Sequence, residues 1–430
     1  MQQAPATAAR APRRRFRGSG SLMVTSMDAV AAVASSAART RVAWLCATVL
    51  LLEGYDVAAM GYAVPALVES WRLPPAAFTA ALTAGNVGLL LGCLAAGMLG
   101  DRLGRKPVLI ACVIIFGSGS VATALAASPA QLAALRLLTG IGLGGGIPLA
   151  VALAADFAPL SAPGRLVMTV GTGVPIGFVV GGFVAGAVIN SLGWPAIFLI
   201  GGAAPLMLVP LLALRLPESP TFRAPAQRRS RVALLFQGER RTTTLLVWAI
   251  SFLSMLTSFL ILLWTPAVLH AAGASAFQAT VSVSIYSIGL VAGCFSLAAV
   301  VDRFGMERVL TFTLALATLT LLAIGQFAPR LGQLVVLLLG AGLGGSSQAG
   351  IIALCGLLYP PAMRASGAGC AIGVGRLGAI AGPLLGGLVL ARGFGGSQVF
   401  TVAAISAGGA AVLMGILAYR QRVPADELSP

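Results

Sequence analysis

A chain of 430 residues in which 58% are hydrophobic and only 9% charged, with a mean hydropathy of +0.95, is not a soluble globular protein, for which about 25% charge is usual. Its formal charge of +16 does not mark a nucleic-acid binder either, because the basic residues are scattered among the connections between apolar runs. The composition is that of an integral membrane protein.

The stretch to Thr40 is polar, carries the Arg-rich run ARAPRRRFRGSG, and reads as a disordered cytoplasmic tail, with Met27 as an alternative start. Twelve stretches then approach the ~20 apolar residues needed to cross ~30 Å of hydrocarbon. They are 42–68, 78–100, 107–127, 130–154, 166–190, 194–215, 244–270, 278–300, 308–328, 331–358, 366–391 and 397–419. Runs this long and apolar are helices, since lipid offers the backbone no other partners. The expected fold is therefore all-α, with twelve transmembrane helices in two six-helix halves (41–215 and 244–420). A cytoplasmic central loop (216–243) joins them, and a short cytoplasmic tail (421–430) follows. All basic residues except Arg72, Arg330, Arg392 and the intramembrane Arg136 and Arg376 lie in the termini or in connections on one side, which places both termini in the cytoplasm of a bacterial inner membrane.

The first span carries two acids, Glu53 and Asp56, ~16–21 Å into the run. A charge at that depth costs about 2.5–3.5 kcal/mol on insertion scales, so its presence points to function. The i,i+3 spacing puts both on one helix face, where they suit proton coupling. Between spans two and three, Asp101, Arg102 and Arg105 flank Gly104. Arg136 lies in span four, and Asp156 closes that span on the cytoplasmic side. The six cysteines fall within spans without paired spacing and read as packing residues. His270, the only histidine, stands at the external end of span seven and reads as a surface residue. Arg376 lies at mid-depth in span eleven with no acid in its own span. Its planar fork suits a carboxylate, either a substrate's or that of Glu53 or Asp56. Tyr55, Tyr62, Phe178, Trp264 and Tyr286 are rings that could stack on an aromatic ligand, and Asn86, Ser346, Ser347 and Gln348 are polar groups at depth. Packing and interhelical hydrogen bonding are the competing readings for all of them.

An internal repeat organises the chain. GDRLGRKPVL from Gly100 recurs as VDRFGMERVL from Val301, GIGLGGG from Gly140 as GAGLGGS from Gly340, and GTGVPIG from Gly171 as GVGRLGA from Gly373. Offsets this constant indicate two homologous halves related by an axis along the membrane normal. Glu53, Asp56, Arg136 and Arg376 have uncharged counterparts in the other half, which separates them from the shared scaffold.

GMLGDRLGRKPVL from Gly97, with its second copy, resembles the loop 2–3 motif of the major facilitator superfamily. EGYDVAAMGYAVPAL in span one, GWPAIFLIGGAAPLMLVPLLALRLPESP from Gly193 and YPPAMRASGAGCAIGVGRLGAIAGPLLGG from Tyr359 resemble segments of its aromatic acid:proton symporter family, the 4-hydroxybenzoate and benzoate type. The resemblance runs from about Met27 to Arg420 and departs at Glu53, where that family usually has Asp. It implies a secondary transporter, not an enzyme, that imports a small aromatic carboxylate with protons by alternating access. Expected partners are that carboxylate, protons and the bilayer, with no cofactor, no metal and no nucleic acid, and the chain is expected to act as a monomer. The resemblance also implies roles: Glu53 and Asp56 serve transport, Arg136 and Arg376 substrate or proton coupling, and Asp101, Arg105 and Asp156 a cytoplasmic gating cluster. As the acids at depth, Glu53 and Asp56 are the candidates for proton coupling. By depth and residue type Tyr55, Tyr62, Asn86, Trp264, Tyr286 and Gln348 join Arg376 and Arg136 as candidates for substrate contact. Arg102, Asp302, Arg303 and Arg364 join the candidates for gating, with topology as the competing reading for Arg102, Arg105 and Arg364.

Within the same superfamily, a symporter of another organic anion is one alternative; a sugar or polyol symporter shares GYD in span one and the PESP sequence at Pro217–Pro220 but usually ends in a PETKG-like tail, where this chain has VPADELSP. A drug:proton antiporter carries GxxxGPxxGG in span five, whereas here Gly378–Gly387 supplies it in span eleven.

Overall fold

A computed structural model describes residues 36–158, 163–219, 235–237, 240–327, 331–359 and 363–421. The N-terminal tail, most of the central loop and the C-terminal tail lie outside the described residues. Among the described residues fourteen α-helices run in chain order: α1 (Ser36–Trp71), α2 (Thr79–Leu103), α3 (Arg105–Thr123), α4 (Pro129–Asp156), α5 (Pro163–Gly171), α6 (Gly173–Leu192), α7 (Trp194–Arg215), α8 (Arg240–Ala271), α9 (Ala276–Phe304), α10 (Met306–Phe327), α11 (Leu331–Gly345), α12 (Ser347–Leu358), α13 (Arg364–Ala391) and α14 (Gly396–Arg420). They make twelve apolar spans, because α5 with α6 and α11 with α12 each form one crossing.

Most helices outrun the apolar stretches that signal them. Hydropathy reports only the lipid-facing length, while the helix continues wherever its backbone bonds are intact. Thus α1 has 36 residues and extends past the hydrocarbon at its N-terminal end. Starts and stops follow local chemistry. Ser128 accepts from the Gln131 amide at 3.3 Å ahead of Pro129, and Ser275 forms a capping box with Gln278. The repeat is visible in the backbone: left-handed Gly104 (φ 100°) recurs as Gly305 (φ 83°), and Gly193 (φ 72°) as Gly393 (φ 80°), at the same places in each half.

Helices 1–7 form one half and helices 8–14 the other. In the first half α2 packs tightly on α4, where a Cβ at Gly140 or Gly144 would strike the α2 backbone at Gly85 or Leu89. Small residues let the backbones approach where no hydrophobic force drives helices together. One end of the bundle is rich in Arg and Lys and is called the basic end below; the other is the far end. The halves meet closely near the far end. There Gly61 of α1 abuts Leu263 of α8, Gly182 of α6 abuts Ser284 of α9, and Gly387 of α13 abuts Thr79 of α2. The Ser284 hydroxyl also donates to the Val179 carbonyl at 2.8 Å.

Candidate functional site

The two acids of α1 do not share one cavity. Three residues along a helix turn the side chain by about 60°, and here that angle decides the partner. Asp56 points into the first half, where Arg136 of α4 grips it with two bonds, Nη1 to Oδ1 at 3.1 Å and Nη2 to Oδ2 at 3.2 Å. The Ser120 hydroxyl donates to the same carboxylate at 3.0 Å, and the guanidinium lies 5.2 Å from the centroid of the Phe198 ring. Asp56 is 1% exposed and Arg136 3%. The pair borders a void of about 20 Å³ with Asn86, room for one water molecule.

Glu53 faces the seam between the halves. It is fully buried against the α4 backbone at Gly146 and Ile147, and no side chain among the described residues hydrogen-bonds either carboxylate oxygen. The charge that acts on it is Arg376, across the seam on α13 and beyond salt-bridge contact. Arg376 donates no hydrogen bond among the described residues, and its Nε is sealed. Both groups line a cavity of about 180 Å³ whose walls include Val57, Val174, Phe178, Met255, Phe259, Cys294, Ser346 and Gln348. It is mostly apolar, with one cation, one carboxylate, one amide and the side chains of Ser258 and Ser346. Both two-part spans meet it: Val174 and Pro175 follow Thr172, which joins α5 to α6, and Ser346 joins α11 to α12. The backbone stays helical through both joints, with the Thr172 amide bonded to the Met168 carbonyl at 3.0 Å and the Ser346 amide to that of Gly342 at 3.2 Å. Val57 and Leu89 border both cavities and stand between Glu53 and Asp56.

On every helix that contributes both, the contact between halves is nearer the far end than the residue lining the cavity. On α1 the order is Glu53, then Gly61; on α6 Phe178, then Gly182; on α8 Phe259, then Leu263; on α9 Ser284, then Cys294 toward the basic end. The cavity therefore lies on the basic side of the seal. At the far end itself Glu69 of α1 meets His270 of α8, with Oε1 2.8 Å from Nε2, while His270 Nδ1 is 3.0 Å from the Ala274 carbonyl oxygen. Sequence patterning treats His270 as a surface residue; its contact joins the two halves.

Of the residues proposed from sequence for substrate contact, Arg376 and Gln348 line the cavity. The others are placed elsewhere. The Tyr55 hydroxyl donates to the Ile197 carbonyl at 2.9 Å, and Tyr62 to that of Phe178 at 2.7 Å. Trp264 donates to the Pro383 carbonyl at 3.0 Å, and Asn86 to that of Leu82 at 3.1 Å. Tyr286 lines a smaller neighbouring void with Ser254 and Ser347. The aromatic walls are Phe178 and Phe259.

The basic end differs in membership from the expected cluster. Arg105 pairs with Asp156, which also accepts from the Ser219 hydroxyl. Glu218 accepts from the backbone amides of Arg105 at 2.9 Å and Lys106 at 3.2 Å, capping the N-terminus of α3. Asp101 and Arg102 are exposed and stand outside this network. Arg303 is exposed and stacks on Phe304 at 5.3 Å. The side chains of Asp302 and Arg364 lie outside the described residues. Glu218 and Ser219 went unassigned in the sequence because PESP reads as a family mark, although an acid after a helix C-terminus is also a cap for a neighbour.

A model of the Major Facilitator Superfamily matches residues 46–324 and 247–430. The chain is 35% identical over 400 residues to the gallate transporter of Pseudomonas putida, covering 86% of this chain and 89% of the relative. It is 32% identical to the 4-hydroxybenzoate transporter PcaK of Pseudomonas aeruginosa (88% and 93% covered) and 36% identical to the 3-(3-hydroxy-phenyl)propionate transporter of Escherichia coli (88% and 94%). Among solved structures, a D-xylose-proton symporter superposes with a TM-score of 0.71 at 19% identity, covering 87% of this chain and 97% of that one, which speaks to the fold alone.

Proposed function

Because the chain belongs to the major facilitator superfamily, and within it to the aromatic acid transporters, we propose that this multi-pass membrane transporter imports a small aromatic carboxylate together with a proton by alternating access. The observation that carries the reading is the juxtaposition in the seam: Arg376 and Glu53, neither hydrogen-bonded to a side chain among the described residues, face one cavity walled by Phe178 and Phe259. A guanidinium fork takes a carboxylate with two bonds, and the flanking rings take the apolar face of its ring.

Coupling follows from charge. At depth the described chain holds two acids and two arginines, and Asp56 is already matched by Arg136. An entering monoanion that takes Arg376 leaves Glu53 without its counter-charge, and one guanidinium cannot balance two carboxylates in a dry cavity. Substrate entry therefore brings a proton to Glu53, and the loaded site carries the same charge as the empty one. With the basic end in the cytoplasm of a bacterial inner membrane, the far-end seal closes this state toward the outside. The Arg105–Asp156–Ser219–Glu218 network ties the first half together at that end and is a candidate to rearrange when the cavity changes sides.

Competition in proteoliposomes tests the reading. Benzoates should block uptake of labelled 4-hydroxybenzoate, and the matching benzamides and benzyl alcohols should not. Equal competition by uncharged analogues or by hexoses would transfer the case to a sugar symporter or a drug antiporter of the same fold.

A further inference from the structure

One acceptor in the cavity has its orientation fixed by the protein. The Ser251 hydroxyl on α8 donates to the Ala371 carbonyl on α13 at 2.8 Å, so its single proton is committed. The Ser251 oxygen is then free to accept, and Nε2 of Gln348 donates to it at 3.3 Å. Turning the amide round would set its oxygen against an oxygen that has no proton left to give. The three groups thus hold Gln348 with Oε1 directed away from Ser251. That atom is buried without a hydrogen-bond partner among the described residues, in a side chain that lines the cavity with Glu53 and Arg376. A buried acceptor left unmade is costly, and a ligand in the cavity is the group that can supply the donor.

We propose that Gln348 is the specificity residue of this site, accepting a hydrogen bond from a ring hydroxyl while Arg376 holds the carboxylate at the other end of the ligand. The inference rests on the carboxylate reading above and deepens it from aromatic acids to hydroxylated ones. A hydroxyl donates, whereas a methoxy group at the same ring position only accepts. The locked amide distinguishes the two, and Ser251 acts as its positioning residue. A site built around a substrate hydroxyl discriminates strongly because the analogue leaves the site's own polar group unpaired.

The test is competition against labelled 4-hydroxybenzoate in proteoliposomes, with benzoate and matched pairs of hydroxy- and methoxybenzoates. In the wild type each hydroxybenzoate should compete at a concentration roughly tenfold or more below that of its methoxy partner. Gln348→Met, close in size, should bring the pair within about twofold, while benzoate still competes and benzamide still does not, which shows that the variant is folded and binds carboxylates. Ser251→Ala frees the amide to turn and present Nε2, so methoxybenzoates should gain on their hydroxy partners. Two results would overturn the proposal: no hydroxyl preference in the wild type, or a preference that survives in Gln348→Met. Failure of the underlying reading looks different, since benzamide would then match benzoate whatever the hydroxyl preference.

Discussion

Replacing Asp56 by Asn is expected to damage stability as well as transport, because Asp56 is the buried partner of an arginine. The carboxylate is 1% exposed and Arg136 3%, and two bonds of 3.1 and 3.2 Å join them. Removing one member of such a pair leaves an uncompensated charge and typically costs about 3–5 kcal/mol. The Phe198 ring 5.2 Å from the guanidinium is present in wild type and variant alike and does not alter the difference. Asp56→Asn should therefore lose about 3–5 kcal/mol. Arg136→Gln should lose at least as much, since it strands the carboxylate and also removes the contact with the ring. The double variant removes both charges and should lose less than the sum by about 2 kcal/mol. Unfolding of purified protein by denaturing detergent, followed by tryptophan fluorescence, measures all three. Losses that add within about 0.5 kcal/mol would mean that the two residues are not coupled, and the account of Asp56 as a matched charge would fail.

Glu53→Gln should behave in the opposite way, keeping stability because no side chain among the described residues bonds either oxygen, and keeping substrate exchange between equal pools, while proton-driven accumulation disappears. Arg376→Lys should lower uptake at least tenfold, because a point charge cannot reproduce the two-pronged grip; uptake within twofold of wild type would remove Arg376 from substrate binding. At the far end the contact of Glu69 with His270 joins the two halves. Glu69→Ala should therefore raise the accessibility of a cysteine placed at Ala66 to a thiol reagent, and unchanged accessibility would show that the contact does not hold the seal.

The architecture was legible in the sequence because lipid enforces it. Twelve runs, the basic connections and the offset near 200 each reflect a constraint that acts on the residues locally. The asymmetric charges were equally legible, as an apolar background makes Glu53, Asp56, Arg136 and Arg376 conspicuous. Pairing was not. Depth along a helix follows from residue number, but azimuth follows from packing, and the turn between Glu53 and Asp56 was enough to send one to Arg136 and the other toward Arg376. The same limit applies to the rings. Tyr55, Tyr62 and Trp264 sit at suitable depth yet face backbone carbonyls, whereas Phe259, which carries no polar handle to attract notice, forms the wall. Membership of the basic-end network was partly legible: Arg105 and Asp156 were expected together, and Glu218 entered because it returns from α7 to the start of α3.

The central claim is that an aromatic carboxylate held at Arg376 brings one proton to Glu53. It is tested most directly by proteoliposomes loaded with a pH-sensitive dye, with substrate added outside at zero membrane potential and no pH gradient. The account predicts acidification of the lumen at one proton per 4-hydroxybenzoate taken up, unaffected by an imposed voltage, and no acidification with Glu53→Gln under the same substrate gradient. Substrate entry without acidification in the wild type, or undiminished acidification with Glu53→Gln, would contradict it.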